Sequence, residues 1–201
     1  MNENTNLIDI NENPINLFDR WFQQAKLMEI DDPNAMNLST VTNDLQPSSR
    51  IVLLKSFNDD GFVFYSNLDS KKGVAIKKNS QVALNFYWKS LKKQGRIEGK
   101  AKIVKETDAD EYFDSRPEDS KIGAWASHQS LELKSREELE KRVATFKKKF
   151  EGSKITRPKH WSGYKVIPKL IEFWQEMPFR LHDRVEFIRY ENKWKAKKLY
   201  P

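Results

Sequence analysis

Residues 50 to 66 read RIVLLKSFNDDGFVFYS, and this stretch decides the fold. β-Branched and aromatic residues fill its two ends, Arg50 to Phe57 and Phe62 to Ser66, as is typical of strands. The segment between them, Asn58-Asp59-Asp60-Gly61, consists of turn-forming residues. The pattern therefore predicts two antiparallel strands joined by a turn, at the start of a meander.

Helices are predicted on both sides of this hairpin. Asn13 and Pro14 supply a helix cap and first turn, and apolar residues follow at helical spacing as far as Met28. Ser135 and Glu138 supply a capping box that opens another long helix, which we expect to pack on the sheet. Shorter helical segments are predicted at Ser70 to Lys78, around Tyr112 and around Ala124.

The other predicted strands bracket these helices without regular βαβ alternation. This arrangement favours an antiparallel barrel with flanking helices over a doubly wound parallel sheet. We expect a mainly β domain spanning residues 13–201, preceded by a mobile tail of residues 1–12. The strands are predicted at Asn37 to Thr42, Gln81 to Trp88, Arg96 to Val104, Gly163 to Val166, Leu170 to Gln175, Val185 to Tyr190 and Trp194 to Leu199, with Glu191-Asn192 as the last hairpin turn.

The composition excludes several classes of protein. The 201 residues include no cysteine, which excludes disulfides, thiolate catalysis and cysteine-ligated metals. No signal peptide and no apolar run of membrane-spanning length is visible, so we expect a cytoplasmic protein with no membrane partner. The net charge of +7 can indicate nucleic acid, a membrane surface or a small anionic ligand, and a solvated lysine-rich face is the simplest explanation.

Common catalytic motifs are missing from the sequence. It contains no GxGxxG after a strand, no GxxxxGK[ST] and no GxSxG. Its three histidines, His128, His160 and His182, do not have the spacing of metal ligands, so no metal is expected. Nucleic acid is not expected as a partner either, because no RNA- or DNA-binding motif is recognisable.

Cations at the ends of strands and helices are the remaining candidates for chemistry. Arg50 and Lys55 are five residues apart, so alternation predicts opposite faces of a strand unless a bulge intervenes. Ser70-Lys71-Lys72 opens a helix with free backbone N–H groups, a hydroxyl and two ammonium groups, a suitable cradle for phosphate. The alternative for both sets is charges that face solvent.

Two further groups share the same chemistry. Tyr112, Arg116 and Ser120 are spaced four residues apart, which suits a second phosphate, although a helix cap and a surface arginine would give the same pattern. In RLHDR, residues 180–184, an extended segment would turn Arg180, His182 and Arg184 the same way. A ligand would balance these cations, and nearby carboxylates are the competing explanation.

Four motifs in this order resemble those of the pyridoxamine 5'-phosphate oxidase family. They are RIVLLK at 50–55, FYSNLDSKK at 64–72, YFDSRPEDSKIGAWAS at 112–127, and IEFWQ followed by RLHDR within 171–184. The resemblance covers about residues 17–201. It implies a Greek-key FMN-binding split β-barrel, and a homodimer whose two active sites lie at the interface and take residues from each subunit.

The resemblance also implies roles for individual residues. The substrate phosphate of a B6 vitamer would bind Lys55, Tyr112, Arg116 and Ser120, whereas Arg180 and His182 would face the substrate ring as the catalytic pair. The flavin would oxidise pyridoxamine or pyridoxine 5'-phosphate, and O2 would reoxidise it to give hydrogen peroxide. The residues implied to contact FMN are Arg50, Ile51, Val52, Leu53, Lys55, Tyr65, Ser66, Lys71, Lys72, Gln94, Gln129, Ser130, Trp174 and Arg184, several of them from the other subunit.

This chain departs from the family pattern at several positions. Lys71 stands where arginine is common, which keeps the charge and loses bidentate geometry. Gly95 and Glu176 replace a β-branched residue and a glycine, and no Arg-x-x-Tyr element occurs in residues 1–13. One alternative is a related split-barrel flavoprotein that acts on another substrate or that binds FMN without oxidase activity. The other is a nucleic-acid-binding module that uses the basic surface.

Overall fold

A computed structural model describes residues 7–191 and 193–201. Its helices and strands, in chain order, are α1 (Pro14–Met28), β1 (Ala35–Val41), β2 (Pro47–Leu53), β3 (Ser56–Asn58), β4 (Gly61–Asn67), α2 (Lys71–Lys78), β5 (Gln81–Trp88), β6 (Lys93–Ile103), α3 (Glu106–Asp114), α4 (Glu118–Ala126), α5 (Arg136–Phe150), β7 (Trp161–Gln175), β8 (Asp183–Tyr190) and β9 (Lys193–Lys198).

The strands form one antiparallel sheet in the order β2-β1-β5-β6-β7-β4-β3, and β8 and β9 extend it from β7. Strand β7 pairs with β6 along most of its length, with β4 through Trp161–Val166 and with β8 through Leu170–Gln175. The sheet therefore divides at the middle of β7, where the β6 register shifts between Glu98 and Gly99. The predicted mainly β fold with flanking helices is confirmed.

Helix α1 supplies much of the core. Asn13 caps it by accepting a hydrogen bond from the Ile15 N–H at 2.8 Å, as predicted. The Phe18 ring lies edge-on to Phe62 at 4.9 Å, and the Trp21 ring lies edge-on to Phe173 at 5.1 Å. Bulky aromatic contacts of this kind favour burial of the helix against the sheet, which fixes the strands that carry the candidate site.

Several predicted elements differ from the structure. The strand expected at Arg50 to Phe57 is two strands, β2 and β3, and the two strands expected within 163–175 are the single strand β7. The hairpin turn between β3 and β4 forms as expected, with Gly61 at φ 142°, a backbone conformation that suits glycine. Asn192 of the last predicted turn lies outside the described residues.

Helix α5 does not pack on the sheet as expected. It lies against α4, where Phe146 and Phe150 approach the Trp125 ring at 5.7 and 5.4 Å. A helix whose apolar stripe is only partly buried can bury that stripe against a neighbouring helix instead of a sheet. The helix predicted from the capping box exists, with the Ser135 hydroxyl accepting from the Glu138 N–H, and only its packing partner was wrong.

The boundary expected at residue 12 stays a prediction, and residues 1–6 lie outside the described part of the chain. Just before that boundary, Ile8 is buried in the core, and its N–H donates to the Asp183 carboxylate at 2.7 Å. In the described residues, no helix combines the length and apolar character needed to cross a membrane.

Candidate active site

A cavity of about 790 Å³ opens beside β2, β4 and the starts of α2 and α4. Most of the residues predicted for the site line it, together with four that were not predicted, Ser48, Ser49, Pro117 and Trp161. The predicted residues in its wall are Arg50, Ile51, Val52, Leu53, Lys55, Tyr65, Ser66, Lys71, Lys72, Tyr112, Arg116, Ser120, Gln129 and Ser130.

Arg50 and Lys55 both line the cavity, as do Ile51, Val52 and Leu53 between them, and the expectation of opposite faces stays a prediction. Strand β2 ends at Leu53, and strict alternation therefore does not extend to Lys55. The Arg50 guanidinium donates to the Thr40 hydroxyl at 2.8 Å and to the Ser48 hydroxyl at 2.7 Å. Burial lowers the pKa of Arg50. These contacts hold a fixed positive charge in the cavity wall.

Lys72 is the most deeply buried cation of the cavity. Its side chain lies in the first turn of α2, and the residue is 7% exposed. The ammonium donates to the hydroxyl of Ser70, the helix cap, and to the Gln129 side-chain oxygen, both at 3.0 Å. Burial, assisted by the charge of Arg50, lowers the pKa of Lys72 to about 8. Lys71 at the first position of α2 is exposed.

An aromatic stack forms another wall. The Tyr65 ring lies 3.9 Å from Tyr112 and 5.3 Å from Trp161, and all three rings are nearly parallel. The Arg116 guanidinium lies 4.7 Å from the Trp161 ring centre, a cation–π contact. Trp161 was missed because no local motif marks it: its role comes from residues far away in the sequence.

Tyr112, Arg116 and Ser120 do come together, although not on one helix. Tyr112 belongs to α3, Ser120 belongs to α4, and Arg116 lies in the turn between them. One Arg116 nitrogen, Nη1, is buried with no hydrogen-bond partner among the described residues. Burial lowers the pKa of Arg116. An unsatisfied buried donor carries a desolvation cost that an anionic ligand would relieve.

The cavity has an unbalanced positive charge. Among residues 7–191 and 193–201, none of its cations is paired with a carboxylate within salt-bridge distance. Burying cations without a counter-charge is unfavourable unless a ligand supplies one. The cavity can therefore bind an anion such as a phosphate. The cations concerned are Arg50, Lys55, Lys71, Lys72 and Arg116.

The other predicted residues do not line this cavity. Trp174 on β7 lies directly between Gln94 on β6 and Arg184 on β8, and the His182 ring lies 4.5 Å from the Trp174 ring. We call these four residues, together with Arg180, the outer cluster. The outer cluster consists of Gln94, Trp174, Arg180, His182 and Arg184.

The RLHDR segment is not extended throughout, so the alternation that would turn its three cations the same way does not apply to it. Arg180 ends a short 3₁₀ turn, Pro178–Arg180, and has φ +62°, whereas β8 begins only at Asp183. The carboxylate explanation holds for Arg184, which donates to Glu172 at 2.7 and 2.9 Å. Glu172, 4% exposed, also accepts from Arg96 at 2.9 Å and was missed by the sequence.

Comparison with known proteins gives consistent matches. Residues 23–150 match the family model described as pyridoxamine 5'-phosphate oxidase. Residues 161–201 match the model described as the pyridoxine 5'-phosphate oxidase C-terminal dimerisation region. Together the two models span both the cavity and the outer cluster.

Curated relatives match over nearly the whole chain. A pyridoxine/pyridoxamine 5'-phosphate oxidase of Caulobacter vibrioides is 50% identical over 190 residues, which cover 94% of this chain and 86% of the relative. A protein of the same name from Trichormus variabilis is 46% identical over 195 residues, covering 96% of this chain and 91% of the relative.

Solved structures show the same architecture. PhzG from Burkholderia lata, in complex with tetrahydrophenazine-1-carboxylic acid, superposes with a TM-score of 0.90 at 32% identity, covering 96% of this chain and 95% of PhzG. A pyridoxamine 5'-phosphate oxidase-related, FMN-binding protein from Nostoc punctiforme has a TM-score of 0.75 at 12% identity, covering 95% of this chain and all of that one. The second match bears on the fold alone.

Proposed function

This chain belongs to the pyridoxamine 5'-phosphate oxidase family, and we propose that it is an FMN-dependent oxidase of vitamin B6 metabolism. The proposed reaction converts pyridoxamine 5'-phosphate, with O2 and water, into pyridoxal 5'-phosphate, ammonia and H2O2. It also converts pyridoxine 5'-phosphate, with O2 alone, into pyridoxal 5'-phosphate and H2O2. The observation that carries the proposal is the cation-lined cavity with its buried Lys72 and its unpaired Arg116 donor. We further propose that the protein works in the cytoplasm.

The residues in the cavity wall fit FMN. Lys71, Lys72 and the N–H groups at the start of α2 would hold the phosphate, because ammonium groups and a helix N-terminus both attract anions. When bound, FMN supplies the redox chemistry by accepting a hydride from the substrate carbon that bears the amine or alcohol. The wall residues that would contact the rest of the cofactor are Arg50, Ile51, Val52, Leu53, Lys55, Tyr65, Ser66, Gln129 and Ser130.

A second anion site would hold the substrate phosphate. Lys55, Tyr112, Arg116 and Ser120 line one part of the cavity and offer hydroxyl, ammonium and guanidinium donors. Arg116 is already held against the Trp161 ring and has a free donor, so it needs little reorganisation to bind a phosphate oxygen. We call these four residues the phosphate-binding residues, and we propose that they select phosphorylated vitamers.

We propose a homodimer in which each site combines the cavity of one subunit with the outer cluster of the other. The match of residues 161–201 to a dimerisation region supports this arrangement. The outer cluster lies outside the cavity of its own chain, which supports the same assignment. Gln94, Trp174 and Arg184 would then contact the FMN of the second subunit.

Arg180 and His182 are proposed as the residues that touch the substrate. Arg180 is exposed, and no carboxylate among the described residues pairs with it, so its charge is available to stabilise negative charge on the substrate. His182 Nδ1 accepts the Met177 N–H at 3.2 Å, which leaves Nε2 as the position of the ring proton in the neutral form. His182 Nε2–H would donate to a substrate oxygen or nitrogen.

The decisive experiment adds pyridoxamine 5'-phosphate to the FMN-loaded protein without oxygen. We expect the yellow flavin absorbance to bleach and to return when oxygen is admitted, with hydrogen peroxide formed. FMN-loaded protein that stays yellow would contradict the proposed reaction.

A comparison substrate separates this activity from that of other split-barrel flavoproteins. The ligand in the PhzG structure is a carboxylic acid, whereas the cavity of this chain offers residues that suit a phosphate. Bleaching by tetrahydrophenazine-1-carboxylic acid but not by pyridoxamine 5'-phosphate would favour a PhzG-like reaction. A colourless protein that takes up no FMN and binds oligonucleotides with steep salt dependence would favour the nucleic-acid alternative.

A further inference from the structure

Arg157 is a buried arginine that does not line the cavity. It lies in the loop before β7, and its side chain is 9% exposed. The guanidinium donates to the Asp110 carboxylate at 2.7 Å, to the Glu106 carboxylate, and to the backbone carbonyl of Trp161 at 2.7 Å. One side chain therefore connects α3 to the first residue of β7.

Both ends of this connection lie close to the phosphate-binding residues. Asp110 precedes Tyr112 by two residues on α3, and the Tyr112 ring lies parallel to the Trp161 ring at 6.1 Å. The Trp161 ring in turn supports the Arg116 guanidinium at 4.7 Å. Arg157 thus fixes the spacing between α3, which presents Tyr112, and Trp161, whose ring supports Arg116.

Removing Arg157 would do more than delete contacts. Glu106 and Asp110 are four residues apart on α3, so they would repel each other without the guanidinium between them. The Trp161 carbonyl would also lose its donor. Both effects act at the start of β7 and on α3, and neither involves α2, where Lys72 lies.

We propose that Arg157 is a positioning residue that sets the preference for phosphorylated over unphosphorylated substrates. It does so by holding α3 and Trp161 at the spacing that the phosphate-binding residues require. This inference rests on the proposed function, because it assumes that Tyr112 and Arg116 bind the substrate phosphate. Arg157 itself does not line the cavity.

The test compares pyridoxamine 5'-phosphate with pyridoxamine in the FMN-loaded dimer. In Arg157→Met we expect the KM for the phosphorylated substrate to rise about tenfold, as for a lost charge-assisted contact, with kcat changed less than about twofold. The kcat/KM for pyridoxamine and the Kd for FMN should stay within about twofold, since α2 is not disturbed. Arg157→Lys, which keeps the charge and can reach only part of the network, should recover part of the preference.

A matched control is Arg142→Met. Arg142 on α5 also donates to a backbone carbonyl, that of Ala126 at 2.6 Å, and it does not line the cavity. We expect Arg142→Met to leave the preference for the phosphorylated substrate unchanged. Equal losses for both substrates in Arg157→Met, or a lower melting temperature with no change in KM, would overturn the proposal and leave Arg157 a purely structural residue.

Two further measurements keep the outcome clear. If Arg157→Met does not fold, Asp110→Asn removes one exposed partner of the same network and should lower the preference about threefold. Calorimetric binding of pyridoxal 5'-phosphate against pyridoxal gives the same preference without turnover. A wild-type protein that does not oxidise pyridoxamine 5'-phosphate contradicts the proposed function, whereas an unchanged binding preference in Arg157→Met contradicts only the role of Arg157.

Discussion

The cavity and the outer cluster both contain arginine or lysine side chains, but their charges are balanced differently. In the cavity, the Lys72 ammonium donates to a hydroxyl and an amide oxygen. In the outer cluster, Arg184 is bound by the buried carboxylate of Glu172, and its third nitrogen donates to the Tyr200 carbonyl at 2.9 Å. Among the described residues, no carboxylate lines the first region, whereas the second already contains one.

This difference indicates different roles for the two regions: the cavity suits an anionic ligand, whereas the outer cluster offers a rigid surface. A cation without a counter-charge is favourable only if a ligand supplies that charge, so the cavity is built to receive an anion. An arginine held on two sides has few donors left but a fixed orientation, so Arg184 and its neighbour Trp174 form a rigid surface. Two incomplete regions of this kind make one complete site if they come from different subunits.

Subunit mixing is the strongest way to break this comparison. One variant, Lys71→Met/Lys72→Met, damages the cavity, and another, Arg180→Ala, damages the outer cluster; each homodimer should be nearly inactive at FMN levels that load the wild type. In a mixed dimer with shared sites, one site carries both defects and the other carries none. Refolding the two variants together in equal amounts should restore about a quarter of the wild-type activity, given two-fold symmetry.

The control for mixing is a single variant that carries both sets of changes, refolded with the wild type. Both sites of every mixed dimer would then carry one defect, so we expect no activity beyond that of the wild-type homodimers. If the two damaged variants stay inactive when mixed, the cavity and the outer cluster do not come from different subunits.

Glu172→Gln tests the balanced region. The amide keeps the shape of the side chain but removes the charge between Arg96 and Arg184, leaving two partly buried cations without their partner. We expect the free energy of unfolding to fall by about 2–3 kcal/mol, less than for a fully buried pair because Arg96 is partly exposed. Urea denaturation measures the loss.

Glu98→Gln is the matched control for this charge. Glu98 lies 3.5 Å from the same Arg96 but is half exposed, so its loss should cost less than about 0.5 kcal/mol. Equal stability of the two variants would mean that Glu172 does not hold the outer cluster together.

Lys72→Met should have the opposite effect on stability. The substitution removes a buried charge that no carboxylate of the described residues balances, so the FMN-free protein should be as stable as the wild type or more stable. FMN affinity should fall about 30-fold, or about 2 kcal/mol, as expected for a lost charge-assisted hydrogen bond. Thermal melts and flavin fluorescence titrations measure the two effects, with Lys77→Met on the same helix as the control.

How much of this could be predicted from the sequence depends on the range of the interaction. The β2–β4 region, the helix caps and the residues of the cavity follow from local patterns and ordered motifs. The packing partner of α5 does not, because an apolar stripe fits either a sheet or the Trp125 face of α4. The relative orientation of Arg50 and Lys55 does not follow from the sequence either, because alternation holds only while a strand continues, and β2 ends at Leu53.

Two of the residues missed by the sequence, Trp161 and Glu172, share one property, which is that their partners are distant. Trp161 meets Tyr65 and Tyr112 only after β4, β7 and α3 have assembled. Glu172 meets Arg184 because β7 and β8 pair in one register, which the glutamate in the IEFWQ motif does not reveal by itself. Long-range pairing of this kind has no local signal in a single sequence.

The pH dependence of FMN binding is the smallest effect and distinguishes the two regions most finely. Lys72 has a pKa of about 8 in the folded protein, against 10.5 when unperturbed. A bound phosphate would raise that pKa, so binding takes up a proton once the free protein has lost it. FMN affinity should therefore be flat below pH 8 and fall above it, by at most tenfold per pH unit.

Stability of the FMN-free protein should change the other way. Between pH 8 and 10.5 the unfolded lysine holds a proton that the folded one has released, so the free energy of unfolding rises with pH. Other groups titrate in the same range, so the informative quantity is the difference between wild type and Lys72→Met. Equal pH slopes in both proteins, from pH 7 to 9, would show that Lys72 is not the charge that the anion meets.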